Sequence, residues 1–392
     1  MTETFEQPAW ASPDIYPEKP ESSPYGALSR KGRRCQFESL EALGVHVRSS
    51  RESVEAVWTP QSGGMVPPEA VKGLVEPLRQ RFVDLAESDA SDARRNTLVF
   101  SLLLLWALYA NLANGTLPTE SVGVGLAGIL LIILGLVPWY DAWRNRRSAW
   151  ELNEERLVGE EHEARFERWL SRQRSPLTWI LIGLLLVSGA AQIWVELEAS
   201  VEAAGLVGRD KGDKGVEAWR LFTAPFLHGH PLHWALNVAG LWYIGRRVEA
   251  LASWPHLALV FLVAMVVGGV ATVQFIPEKS SVGASGGLLG LLGFLLVFET
   301  LHARLVPRPT RRRLCAALVL TFLIGFVGYS FIDNYAHGGG LVAGMLYAAI
   351  VFPKSRSARR PRANRMDLIF GGGSLAVLAV FALLAVKLML AS

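Results

Sequence analysis

Three short stretches hold residues whose types and spacing suit acyl-transfer chemistry. Ser285 stands in "SVGASGGLLG" (281–290), a serine among four glycines at the mouth of an apolar run. His337 stands in "AHGGGLVAG" (336–344), and His233 and Asn237 close "HGHPLHWALN" (228–237). A serine hydroxyl is a poor nucleophile until a base takes its proton, and a neutral imidazole near pH 7 suits that task. The carbonyl it attacks becomes an oxyanion and needs donors. Asn237 offers an amide N–H and His233 a ring N–H, and their i, i+4 spacing puts them on one helix face. A helix beginning at Ser285 adds backbone N–H groups and the favourable end of its dipole. Taken singly, Ser285 reads as a helix cap and His337 as a satisfied buried polar residue. Together they make a nucleophile, a base and an oxyanion hole.

Other chemistries fit less well. His228, His230 and His233 fall within six residues, but Pro231 breaks their spacing and no cysteine or carboxylate joins them. A metal site needs three or four convergent ligands, so none is expected, and no cofactor is implied. Cys35 and Cys315 are far apart and form no CxxC pair, which argues against redox chemistry. Asp333 lies four residues before His337, on an outer loop in the topology below, and receives no role.

These side chains need elements to hold them at one depth. The chain has 392 residues, 51% of them hydrophobic, with a mean hydropathy of +0.28. That is too apolar for an ordinary soluble protein. A span needs about 20 apolar residues, and nine candidates qualify: 97–113, 121–140, 177–195, 232–251, 254–275, 284–301, 314–332, 336–353 and 367–390. Two carry polar flags, His233 with Asn237 and His337. Polar groups within spans usually face a bundle interior or a water-filled cavity.

Arginine clusters orient the spans. Arg94/Arg95, Arg144/Arg146/Arg147, Arg246/Arg247, Arg304–Arg313 and Lys354–Arg365 alternate with poorly charged connections. A cytoplasmic N-terminus puts every strong cluster inside. The spans that begin at Ser285 and His337 then both run inward from the outer surface, so their first residues share a depth. Gly286 and Gly290 form one small-xxx-small face, and Gly340 and Gly344 another. Such faces let helix backbones meet, which would bring the hydroxyl to the imidazole.

The remaining segments are polar. Residues 1–95 begin as a disordered stretch with Pro8, Pro13, Pro17, Pro20 and Pro24, and a compact patch follows. No cleavable signal is expected at the start. "VKGLVEPLRQRFVDLAE" (71–87) reads as an amphipathic surface helix or membrane-proximal stem. Residues 147–174 read as a charged helix joining spans two and three. The organisation expected is thus a cytoplasmic region (1–95), two spans (96–141), a charged linker (142–176), a six-span core (177–353), a basic loop (354–366) and a last span (367–392). The net charge of +4 sits beside apolar runs and is no nucleic-acid signature.

With these residues in place, the chain resembles the rhomboid family of intramembrane serine proteases over roughly 177–353. "GASG" (283–286) is similar to the family's GxSG, "AHGGGLVAG" to its AHxxGxxxG and "HGHPLHWALN" to its HxxxxHxxxN. The resemblance implies an all-α polytopic membrane protein, a six-span bundle with two extra N-terminal spans and one extra C-terminal span. It implies Ser285 as nucleophile, His337 as base, and His233 and Asn237 as oxyanion donors. His228, Gly283, Gly286, Gly290, Gly340 and Gly344 would support them. "AWRLF" (218–222) and "GRRVE" (245–249) are similar to elements that supply an Arg–Glu pair, here Arg220 and Glu249. Four residues after the nucleophile the family usually has an aromatic, whereas this chain has Leu289. The implied substrate is a single-span membrane protein, unwound locally and cut near the outer face. The setting would be the lipid bilayer of a bacterial plasma membrane, with a mitochondrial inner membrane as the other possibility. A catalytically silent rhomboid-like binding factor is the alternative, motivated by Leu289 and the extra spans. A transporter fits poorly, because the polar residues cluster at one face and no internal repeat is seen. Nothing in the sequence sets an oligomeric state.

Overall fold

The computed structural model describes residues 7–20, 23–118, 121–207, 217–329 and 331–392. Residues 1–6 of the expected disordered start and 208–216 of the first external loop lie outside them.

The N-terminal region contains a small sheet. β1 (Tyr25–Ser29) pairs antiparallel with β2 (Arg34–Phe37) and β3 (Val54–Trp58) in the order β2-β1-β3. Helix α1 (Leu40–Ser49) is capped by Ser39, whose side chain accepts from Ala42 N. Ala27, Val57, Leu43 and Val47 form the core of this unit with Leu74 and Leu78. The helical expectation did not include this sheet. Its strands run only four or five residues, too short for a period of two to stand out. The expected disorder also does not hold over residues 7–20. Trp10, Ile15 and Tyr16 are buried, and Trp10 Nε1 donates to Leu305 O at 2.8 Å. Pro13 starts a short 3-10 turn at a position where a missing N–H costs nothing.

The rest is helical. α2 (Val75–Ala113) runs unbroken from the amphipathic stretch into the first apolar run, so that stretch is a stem. α3 (Val122–Leu130) continues through a π turn at Leu131–Leu136 into α4 (Val137–Trp150). α5 (Glu154–Arg172) is the charged linker helix, started by an Asn153 cap. Then follow α6 (Pro176–Val195), α7 (Leu197–Ala204), α8 (Arg220–Thr223), α9 (Pro231–Ala252), α10 (Trp254–Phe275), α11 (Ser285–Leu301), α12 (Arg308–Val327), α13 (Asn334–Val351) and α14 (Arg365–Ala391).

Each of the nine apolar runs falls on a helix. Among the described residues, five helical segments, 72–113, 122–150, 176–195, 254–275 and 365–391, are long and apolar enough to cross a membrane. α11 is as apolar but has only 17 residues. α9, α12 and α13 carry the polar and basic residues singled out above: Asn237 is buried, His233 and His337 are half-buried, and Arg312 and Arg313 at the start of α12 are exposed. The molecule is an integral multi-pass membrane protein.

α11 lies at the centre. Leu291, Phe294, Leu295 and Phe298 are fully buried along it. It meets α13 backbone to backbone: a Cβ on Gly340 would collide with Gly286 O, and one on Gly344 with Gly290 O. A Cβ on Gly290 would likewise collide with Ala264 of α10. At the far end of α11, Glu299 takes a two-pronged bond from Arg247 of α9, Nε to Oε1 at 2.6 Å and Nη2 to Oε2 at 2.9 Å. Both are buried, and the Arg247 guanidinium lies 5.1 Å from the Phe166 ring of α5. Removing one partner of such a pair strands a charge and costs roughly 3–5 kcal/mol.

Candidate active site

The site is assembled where α11, α13 and α9 begin. Ser285 is the first residue of α11, so its hydroxyl sits at the helix mouth rather than inside a turn. Gly283, two residues earlier, has φ +124°, and a Cβ there would lie 2.7 Å from His233 Cε1. Both the left-handed backbone and the imidazole packed against it demand glycine. The loop is pinned on both sides. Gly283 N donates to Ala224 O at 3.1 Å, and Ser281 exchanges backbone bonds with Leu206.

His337 lies in the first turn of α13, and its Nε2 is 2.8 Å from Ser285 Oγ. A ring nitrogen that accepts this hydroxyl proton carries its own proton on Nδ1. The glycine contacts between α11 and α13 are what allow this approach, since side chains at those positions would hold the helices apart.

His233 and Asn237 lie one turn apart on α9. Asn237 is buried, and its Nδ2 donates to His233 O at 2.9 Å. An amide nitrogen has two protons, so one stays available. α9 touches α11 through Gly240, where a Cβ would lie 3.3 Å from Leu288 Cδ1. His228 is buried behind His233, their rings edge to face at 5.2 Å. Gln192 of α6 holds the His228 backbone, with its Oε1 accepting from His228 N at 2.8 Å and its Nε2 donating to His228 O at 3.2 Å. His230 instead caps α9, its Nδ1 accepting from Leu232 N. Beside His337 a cavity of about 390 Å³ opens between α12 and α13, lined by Leu289, Leu318, Phe322, Phe326 and Leu341. Leu289 of α11 lines this cavity together with His337.

The expected Arg220–Glu249 pair is not formed. Arg220 bonds Glu217 at 2.5 Å, donates to the carbonyls of Glu202 and Gly205, and lies 4.5 Å from the Trp219 ring. Glu249 is buried at the other end of α9. There it accepts from Leu177 N, Thr178 N and Thr178 Oγ1 at 2.8–2.9 Å. A carboxylate at the N-terminus of α6 satisfies donors that Ser175, which makes no side-chain cap, leaves open. The motifs alone suggest a pair, whereas the span topology already puts Arg220 and Glu249 near opposite ends of a span, as the structure does. The buried pair that does form, Arg247–Glu299, went unassigned in the sequence. Its signal was a lone glutamate inside an apolar run.

A polytopic helical bundle with a serine and a histidine in hydrogen-bond contact at the mouths of two helices is the class of protein defined so far. Residues 215–354 match the family model described as "Rhomboid domain". The chain is 32% identical over 165 residues to "RHOMBOID-like protein 6, mitochondrial" of Arabidopsis thaliana, covering 41% of this chain and 52% of that protein. It is 34% identical over 140 residues to "Rhomboid protease GluP" of Bacillus subtilis (strain 168), covering 36% and 27%. It is 32% identical over 135 residues to "Inactive rhomboid protein 1" of Rattus norvegicus, covering 34% and 16%. The chain thus spans about half the length of the first relative and less of the others. The chain thus carries a match to the rhomboid domain over residues 215–354.

Proposed function

We propose that the protein is an intramembrane serine endopeptidase. The observation that carries this reading is the 2.8 Å contact between Ser285 Oγ and His337 Nε2. In the proposed reaction Ser285 attacks the scissile carbonyl as its proton passes to His337 Nε2. Charge develops on the carbonyl oxygen, where the His233 ring, the free Asn237 amide proton and the N–H groups opening α11 donate to it. The imidazolium then protonates the leaving amine, the C–N bond breaks, and an acyl-enzyme remains. Water, deprotonated by the same imidazole, releases the second fragment.

The membrane setting supports a proposed substrate class. A single-span membrane protein would present a segment unwound near the outer face, because a helical peptide bond is shielded and already hydrogen-bonded. The cavity beside His337 offers room for an apolar side chain of that segment. The arginine pattern favours a cytoplasmic N-terminal unit and a bacterial plasma membrane. Residues 177–353 would form the catalytic core, and no cofactor takes part.

The test is cleavage of a model single-span substrate in proteoliposomes by wild type and Ser285→Ala. Wild type should cleave and Ser285→Ala should not; equal cleavage by both would remove Ser285 as nucleophile. A second reading, a catalytically silent factor that binds membrane proteins, draws on Leu289 and on the relative named inactive. Labelling of Ser285 by a fluorophosphonate probe excludes silence, and its absence under conditions where the chain is folded favours it.

A further inference from the structure

Asp333, which the proposed chemistry leaves unused, accepts four hydrogen bonds from three different elements. Its Oδ1 caps α13 by accepting from Tyr335 N at 3.1 Å and Ala336 N at 2.9 Å. Its Oδ2 accepts from Thr272 Oγ1 of α10 at 2.5 Å and from Ser281 Oγ of the loop before α11 at 2.6 Å. Thr272 is itself buried. Short hydroxyl–carboxylate bonds of this kind are charge-assisted and roughly twice as strong as neutral ones.

The register of these contacts bears on the dyad. Ser281 is four residues before Ser285, and Asp333 is four residues before His337. The Ser281–Asp333 bond therefore ties together, one step upstream, the same two segments that meet at Ser285 and His337. His337 N donates to Asp333 O at 3.2 Å, so the backbone of the capping residue also opens the turn that carries the imidazole. No bond joins the Asp333 carboxylate to the His337 ring among the described residues, so the carboxylate does not act as a third member on the imidazole.

We propose that Asp333 is the positioning residue of the dyad. It sets the register between the segment that carries the nucleophile and the turn that carries the base, and Thr272 anchors that register to α10. This rests on the protease reading. A misplacement of about 1 Å can cost on the order of 100-fold in rate, so a loose clamp is felt in chemistry before it is felt in folding. Asparagine separates the two roles of the residue. It caps a helix as well as aspartate does, but it puts a neutral N–H₂ where the carboxylate accepted, so the two charge-assisted bonds are lost and only weaker N–H···O bonds of reversed direction can replace them.

The experiment uses the purified full-length chain in proteoliposomes. Fluorophosphonate labelling at Ser285 is followed against probe concentration, and unfolding temperature is measured alongside. Asp333→Asn should lower the limiting labelling rate roughly 10- to 100-fold. Half-saturation should stay within about twofold and unfolding within a few degrees, as expected for lost positioning rather than lost binding. The double variant Thr272→Val with Ser281→Ala keeps the cap and loses the clamp, and should show the same loss. Combining all three should add nothing further, because one linkage is being removed. Wild-type labelling by Asp333→Asn, or additive losses, would overturn the inference alone. A folded wild type that neither labels nor cleaves would overturn the protease reading and this inference together.

Discussion

At the scale of single residues, the site depends on where each hydrogen goes. Asn237 already spends one amide proton on His233 O, which restrains its side chain and leaves the other proton for a substrate. In the proposed reaction a donor held this way contributes only when charge has developed on the substrate, so its loss should appear in kcat and not in KM. Asn237→Ala is expected to lower kcat about 10²- to 10³-fold with KM little changed, measured on a model single-span substrate. An unchanged kcat would leave Asn237 as a helix-bracing residue only. The sequence groups Ser285, His337, His233 and Asn237 as candidates because acyl transfer admits few residue types and span direction places them at a common depth. The partners of Glu249 and Asp333 are not legible there. Each satisfies donors from helices far away in sequence, and nothing in the spacing of one chain segment announces which distant N–H it will meet.

At the scale of elements, α11 and α13 approach as closely as backbones can. A side chain at Gly344 would collide with Gly290 O, whereas one at Gly338 would meet nothing within 4 Å. Gly344→Val is therefore expected to destabilise the bundle by about 1–3 kcal/mol or more through overpacking. It should also part the Ser285–His337 contact, so that unfolding temperature and Ser285 labelling fall together. Gly338→Ala, in the same helix, should leave both near wild type. If the two variants behave alike, the close approach is not what holds the dyad. The sequence offered the small-xxx-small spacing but could not say which faces meet. The helices that carry the site are also those whose polarity or length keeps them below the threshold for an isolated span. They are tolerated because α10, α14 and α6 stand around them.

At the scale of the whole molecule, the N-terminal unit is fastened to the helical body by polar contacts. Trp10 reaches the loop between α11 and α12, Arg168 of α5 pairs with Glu55 of β3, and the Tyr16 ring lies under Arg165 and Arg168. Glu69 is half-buried at this junction, with Oε2 enclosed and unpaired. Burial is the main cause that pushes its carboxyl up from 4.5 to about 7, and Glu160 and Glu161 of α5 add to it, while a backbone hydrogen bond and Arg81 pull it down. Glu160 and Glu163 are raised by burial in the same direction, against the pull of Arg313. The folded state then keeps a proton that the unfolded chain has released, so stability from Glu69 is full below about pH 4.5 and lost as pH rises through about 7. Wild type should lose thermal stability between pH 5 and pH 8 (roughly this window), and Glu69→Gln should flatten that slope. Equal slopes in the two proteins would show that Glu69 is solvated.

By itself the sequence determined the apolar runs, the depth of the polar residues within them and the small residues that permit close packing. Each is a local consequence of composition, because lipid demands about 20 apolar residues and a satisfied backbone from every crossing. The tertiary structure decided the pairings: Ser285 with His337, Arg247 with Glu299 in place of Arg220 with Glu249, and Asp333 with Thr272 and Ser281. It also decided that Trp10 is buried and that three short strands form a sheet. Such pairings join residues tens to hundreds of positions apart. Which distant donor meets which acceptor depends on helix order and rotation, and those are set by the packing of the whole bundle.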